Sequence, residues 1–196
     1  MLNNTIEKLE FAVRPRPKFI ESAQGFLLRL AVSNGRYELS KLAEAIDYKY
    51  KASSFTLGGA DVESFLHAIS RALRLSGPEL VSCFSKSIDI EDDRRAVSDI
   101  RLPTPKICPS CMMNEDSRYI KEHWEYAHHT HCEEHNVALI DQCPRCAESL
   151  SWNGDIFQGC SCCGYRWEDY KISTEPLPLY QTICDELTDL ELKEYL

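Results

Sequence analysis

Eight side chains of metal-ligating type recur in four pairs of identical internal spacing: Cys108/Cys111, Cys132/His135, Cys143/Cys146 and Cys160/Cys163. A C-x2-C turn holds two thiolates about 3 to 4 Å apart, close to the edge of a tetrahedron built on Zn–S bonds of about 2.3 Å, so two such turns close one four-coordinate site. The intervals, 20 residues between Cys111 and Cys132 and 13 between Cys146 and Cys160, suit zinc ribbons and fingers. The spacing predicts two structural Zn2+ ions. One is held by Cys108, Cys111, Cys132 and His135, the other by Cys143, Cys146, Cys160 and Cys163. Sequential pairing is preferred to a RING-like cross-brace because seven residues separate His135 from Cys143, where interleaving would leave only a few. Four protein ligands leave no open position for a substrate or an activated water, which argues for structure over catalysis.

The remaining ligand-type residues are less decisive. Cys162 could replace either thiolate of the last pair, but Cys160-x-x-Cys163-Gly164 has the spacing and trailing glycine that let the chain turn back with positive φ, which favours Cys163. Cys83 and Cys184 fall on apolar helical faces and read as packing residues. His123, His128, His129 and His131 crowd the stretch before Cys132; one could replace His135, although exposed or hydrogen-bonded side chains are the simpler reading. His131-Cys132-Glu133 with Cys143-Pro144-Arg145-Cys146 loosely echoes a zinc deaminase. There, however, the proline precedes the first cysteine, a longer gap separates the elements, and four cysteines here would be stranded. No H-E-x-x-H, Gly-rich phosphate loop or nucleophile elbow is present.

These pairs need elements to position them. Ala23, Phe26, Leu27, Leu30 and Ala31 form one apolar stripe on a helix that Asn34-Gly35 can stop. Leu39, Leu42, Ala43 and Ile46 repeat the spacing, as do Val62, Phe65, Leu66, Ile69 and Leu73 beyond the Gly58-Gly59 break. A fourth helix opens at the capping box Ser76-Gly77-Pro78-Glu79 and buries Leu80, Val81 and Phe84. The stripes read first as the core of a small bundle, and their short connections are compatible with a helix-turn-helix unit. Ile88 to Arg101, before Pro103 and Pro105, reads as a polar linker. Leu179, Ile183, Leu187 and Leu190 mark a last amphipathic helix that docks on its own domain or on a partner. The expected architecture is mainly α: an amino-terminal helical, helix-turn-helix-like bundle (1–102), two tandem zinc-finger or zinc-ribbon modules (103–170) and a carboxy-terminal helix (171–196).

The chain has 196 residues, 43% of them apolar, enough for a folded core. No apolar run reaches the roughly 18 residues of a membrane span, and residues 1–10 do not resemble a signal peptide. A cytoplasmic protein is expected, in which thiols serve more often as metal ligands than as disulfides. Residues 1–106 carry 16 Lys and Arg against 14 acids, whereas residues 107–196 carry 6 against 17. The second half therefore repels nucleic acid, and any such contact belongs to the first half or to one small patch.

Two stretches resemble the TniQ/TnsD target-selection family of Tn7-like transposons. The first is Pro15-Arg16-Pro17 followed by Glu21-Ser22-x-x-Gly25-Phe26-Leu27-Leu28-Arg29-Leu30-Ala31 and Asn34-Gly35. The second runs through Cys108-Pro109-Ser110-Cys111, Glu115-Asp116, Tyr119, Trp124, Cys132-x-x-His135, Leu139, Cys143-Pro144-x-Cys146 and Leu150-x-Trp152. Ala147 departs from the pattern, standing where a knuckle glycine is usual, as do Met112-Met113 and the doubled Cys162-Cys163. The resemblance implies a non-enzymatic bacterial adaptor that links a target-recognising element to the AAA+ transposition regulator (TnsC-like). It also implies similarity to short members that leave recognition to a CRISPR effector complex with its guide RNA, with target DNA nearby and no membrane. The alternative is a stand-alone zinc-ribbon, helix-turn-helix DNA-binding transcription regulator.

Overall fold

The computed structural model describes residues 11–50, 60–84 and 101–171. Its helices are α1 (Ala23–Ser33), α2 (Leu39–Ala45), α3 (Ala60–Leu73), α4 (Gly77–Ser82) and α5 (Pro109–Met113). Single 3-10 turns occupy Glu122–Glu125, Gly154–Phe157 and Trp167–Asp169, and β1 (His131–Cys132) pairs antiparallel with β2 (Val137–Ala138). The protein is thus small and helix-rich with few strands. Among the described residues no helix is long and apolar enough to cross a membrane. The Gly58-Gly59 break, the polar run 88–100, Cys184 and the stripe from Leu179 to Leu190 lie outside the described residues.

Helix α1 organises the core. Ser22 caps it by accepting the Gly25 amide at 2.9 Å, and the Asn34 side chain closes the other end on the Leu30 carbonyl at 3.0 Å. A single apolar stripe was expected, yet Leu28 and Gly25 are buried as well as Phe26, Leu27, Leu30 and Ala31. The extra burial comes from the cysteine-rich half. Ser22 N–H donates to the Ile120 carbonyl at 2.8 Å, Glu122 N–H to Ile20 at 2.8 Å and Gly154 N–H to Tyr37 at 2.7 Å. Bridges Glu21↔Lys121 and Glu38↔Asn153 join the same segments. One continuous core therefore runs from Phe26 and Phe65 to Cys108, Trp124, Ile156 and Trp167. Helical periodicity reports one buried face; the second is created by residues about 100 positions away.

Gly25 is where this contact is tightest. A Cβ there would lie 2.8 Å from Ser22 Oγ and 3.0 Å from Ile120 Cβ, so Gly25→Ala must displace the capping hydroxyl and the facing isoleucine. A loss of about 1 to 3 kcal/mol is expected, read as a lowered urea midpoint. An unchanged midpoint would show that the two halves yield at this contact.

Helices α2 to α4 follow their stripes: Leu39, Leu42, Val62, Phe65, Leu66, Ile69, Leu73 and Leu80 are buried, and Tyr48 stacks on Phe65 with centroids 4.7 Å apart. Ser76 caps α4 through the Glu79 amide at 3.2 Å, as its sequence predicts. Two expectations fail. Cys83 is exposed, not packed, because α4 ends at Ser82 and the thiol turns back to the Glu79 carbonyl at 3.3 Å. Arg101 is no linker residue: it bonds Glu125 at 2.9 Å and the Tyr126 hydroxyl at 3.0 Å, with Glu122 at 3.3 Å.

Candidate metal centres

The first cluster joins the start of α5 to the β1–β2 turn. Cys108 occupies the N-cap of α5, and Pro109 follows in the first helical turn, where a missing N–H costs nothing. The Cys111 amide points at Cys108 Sγ at 3.5 Å. Opposite, Cys132 ends β1 and the chain reverses through Asn136, at φ 50°, whose N–H donates to the Cys132 carbonyl at 2.7 Å. Cys111 Sγ lies 3.7 Å from Cys132 Sγ, and His135 Nδ1 lies 3.6, 3.3 and 3.6 Å from Cys108, Cys111 and Cys132. Such separations fit a tetrahedron with metal–sulfur bonds of about 2.3 Å. The three thiols are fully buried and the imidazole is exposed.

The second cluster brings together Cys143, Cys146, Cys160 and Cys163, with Cys143–Cys163 and Cys146–Cys160 each at 3.7 Å. Bridges Gln142↔Ser149 and Gly159↔Arg166 clamp its two turns. Each turn repeats the device seen at Asn136: Ala147 N–H donates to the Cys143 carbonyl at 2.8 Å and Gly164 N–H to Cys160 at 3.0 Å, with φ of 58° and 68°. Cys162 is exposed and stands outside the group. A left-handed conformation disfavours any residue with a Cβ, so Ala147→Gly is expected to stabilise this turn by roughly 0.5 to 1 kcal/mol. Competition with a chromophoric chelator would show the gain as tighter metal retention, and weaker retention would contradict it.

Proton sharing prepares both clusters for a cation. Hydrogen bonds from the Cys108 and Cys111 thiols hold Cys132 far below the usual thiol range, while the same contacts push Cys111 far up. Burial pushes Cys143 up, but the amides of Cys146 and Arg145 and the neighbouring thiols more than offset it, bringing it to about 7. At Cys146 the Glu148 amide acts downward, but desolvation and then the surrounding thiols outweigh it, raising the group to about 12. Cys132 and Cys143 are thus the donors readiest to lose a proton, and a bound cation would displace protons from the others. Three thiolates and an imidazole around a divalent ion leave one negative charge, and Lys121, 2% exposed, lies beside that site. Its ammonium bonds Glu134 at 2.7 Å and faces the Trp124 ring at 5.4 Å. Burial lowers its affinity for the proton, but Glu134, Cys111 and Cys132 raise it further.

The histidines ahead of Cys132 take another role. His123, His128 and His129 contact one another ring to ring, 4.8 and 4.4 Å apart, outside both clusters. Burial first, then His128, His123 and Lys106, lower His129 to about 4, which keeps it neutral. His131 lies in β1 without joining the first cluster. The Lys106 ammonium closes this corner by donating to the carbonyls of Tyr126 and His129.

A family model, TniQ, matches residues 12–139. The chain belongs to the TniQ family. A search among curated proteins found no match. The TniQ match takes in α1 to α5 and the whole first cluster and ends before Cys143. TniQ proteins are non-catalytic adaptors that select targets in transposition, and the geometry gives their sequence pattern a physical meaning here. Glu21 accepts two bonds from Arg29, both 2.7 Å, and the Lys18 amide at 2.9 Å. Ser22 is the cap of α1, and Gly25 admits Ile120. Glu21, Ser22 and Gly25 thus dock α1 against the segment that leads to the first cluster, and Arg29 holds Glu21 in place. Sequence reasoning missed Lys121 and Glu134, whose role depends on tertiary burial. Asn136 was missed as well, although an asparagine, which tolerates positive φ, directly after the C-x2-H pair was the signal that could have found it.

Proposed function

We propose that this TniQ protein is a zinc-stiffened adaptor in RNA-guided DNA transposition, bridging a CRISPR effector complex with its guide RNA to the AAA+ transposition regulator. Cys108, Cys111, Cys132 and His135 hold one Zn2+, and Cys143, Cys146, Cys160 and Cys163 hold the other. Zinc is the divalent ion whose donor preference and tetrahedral geometry suit thiolate and imidazole. The family match is the observation that carries the adaptor role. Two four-donor clusters, each complete without a solvent position, support a scaffold over an active site. The three residues between α3 and α4 support a helix-turn-helix reading of the helical half. The strongly acidic balance of residues 107–196 disfavours an independent DNA reader and favours a guide-directed partner in the bacterial cytoplasm.

The test is affinity capture of the tagged chain from cells expressing the complete native gene neighbourhood, with mass spectrometry and RNA sequencing of the eluate. Guide RNA with effector subunits, or the AAA+ regulator, is the expected yield. Recovery of the chain alone or with one defined duplex would replace this reading with the zinc-ribbon transcription regulator.

A further inference from the structure

We propose that Phe19 is the aromatic anchor by which this adaptor plugs into a protein partner, entering an apolar pocket that carries a carboxylate on its rim. Phe19 is 86% exposed, the most exposed large apolar side chain among the described residues. It sits at the tip of the turn 18–21, where Glu21 N–H donates to the Lys18 carbonyl at 3.2 Å and Lys18 N–H to the Glu21 carboxylate at 2.9 Å. Ile20 follows at φ 54°, a left-handed conformation disfavoured for a residue with a Cβ and more so for one branched there. The surroundings fix that conformation. The Ile20 carbonyl accepts the Glu122 amide at 2.8 Å, Arg29 binds the Arg16 carbonyl at 2.8 Å, and the Lys18 ammonium donates to the Asp116 carbonyl at 3.1 Å. Backbone strain held in place from both sides points to a segment whose shape is used.

Single exposed apolar residues are ordinary on a protein surface, and the Glu122 bond by itself accounts for a turn at Ile20. Neither accounts for a phenyl ring at the tip, because a polar side chain at position 19 would serve the same backbone and leave no ring in water. A ring carried on a rigid turn has little freedom left to lose on binding, and buried aromatic anchors of this kind dominate interface energies. The charges alongside select a protein over a nucleic acid. Glu115 and Asp116 are exposed on the segment that Lys18 reaches, and their carboxylates repel phosphate. Lys18 itself forms no salt bridge among the described residues. Its charge, one residue from the ring, is complementary to a carboxylate at the rim of the partner's pocket, where such pairs steer docking. This rests on the adaptor reading and deepens it by naming the contact.

Affinity capture of the tagged full chain from cells expressing the native gene neighbourhood, with the effector subunits and the AAA+ regulator each quantified by mass spectrometry, decides it. Phe19→Ser should lower recovery of one of these proteins by about tenfold or more. Val13→Ser, which removes exposed apolar surface elsewhere, should stay within about threefold. Lys18→Gln should weaken the same capture about threefold at low salt and leave it unchanged at high salt. Benzoylphenylalanine in place of Phe19 should, on irradiation, crosslink to an apolar residue of that same protein with a carboxylate nearby. Circular dichroism and metal content identify any variant that has lost its fold. Undiminished capture by Phe19→Ser, an equal loss with Val13→Ser, or Lys18→Gln binding as wild type at low salt would each overturn the proposal and leave the adaptor reading standing. Crosslinks confined to nucleic acid, to a second copy of the chain or to residues of the same chain would do the same. A wild-type chain that captured none of these proteins would remove both.

Discussion

Cys132→Ser is expected to lower the zinc content of the purified chain from about two equivalents to about one and to melt helices far from the mutated turn. Apparent zinc binding in finger peptides amounts to roughly 10 to 16 kcal/mol, as large as the whole stability of a native domain at roughly 5 to 15 kcal/mol. Cys132 is fully buried and lies in the same core as Phe26, Leu28 and Trp124. Loss of the first ion therefore releases Ile120, the Glu21↔Lys121 bridge and the second buried face of α1. Elemental analysis and the helical circular dichroism signal are the readouts. Cys162→Ser, outside both clusters, should retain both equivalents and the full helical signal. A Cys132→Ser protein with two equivalents and native helicity would remove this residue from the ligand set.

The second large effect belongs to a pair with no metal. Glu21 has a fully buried side chain and Arg29 one that is 17% exposed. Arg29→Ala leaves that carboxylate in the core with the Lys18 amide as its remaining partner among these bonds. The cost of an uncompensated buried charge is about 3 to 5 kcal/mol, and a melting point lower by roughly 6 to 20 °C follows for a chain of this size. Glu21→Gln combined with Arg29→Ala should recover much of the loss, since the amide needs no counter-charge. If the single variant melted within a degree of wild type, the pair would not be what seats α1 against residue 120.

The comparison of these two sites explains what the sequence could and could not disclose. Tetrahedral coordination is a local demand: each C-x2-C or C-x2-H turn satisfies half of it within four residues, so both clusters could be proposed from spacing, and Gly164 even favoured Cys163 over Cys162. The helices of the first half obeyed their apolar stripes for the same reason. Lys121 gave no such signal, because an ammonium becomes a buried counter-charge only when Glu134, Trp124 and the thiols of Cys111 and Cys132 are brought around it. Arg101 stood in a polar run and looked solvated until Glu122 and Glu125 were placed opposite it. Cys83 looked apolar by its helical phase, but α4 stops one residue before it.

The backbone bonds that join Ser22 to Ile120, Glu122 to Ile20 and Gly154 to Tyr37 also limit how this protein can be re-engineered or recombined. A cut near residue 102 would split a helix from its second packing partner, so the cysteine-rich half cannot be exchanged as a cassette between relatives. Chimeras would have to carry α1 together with the first cluster, and substitutions at Gly25 and residue 120 would have to change in concert.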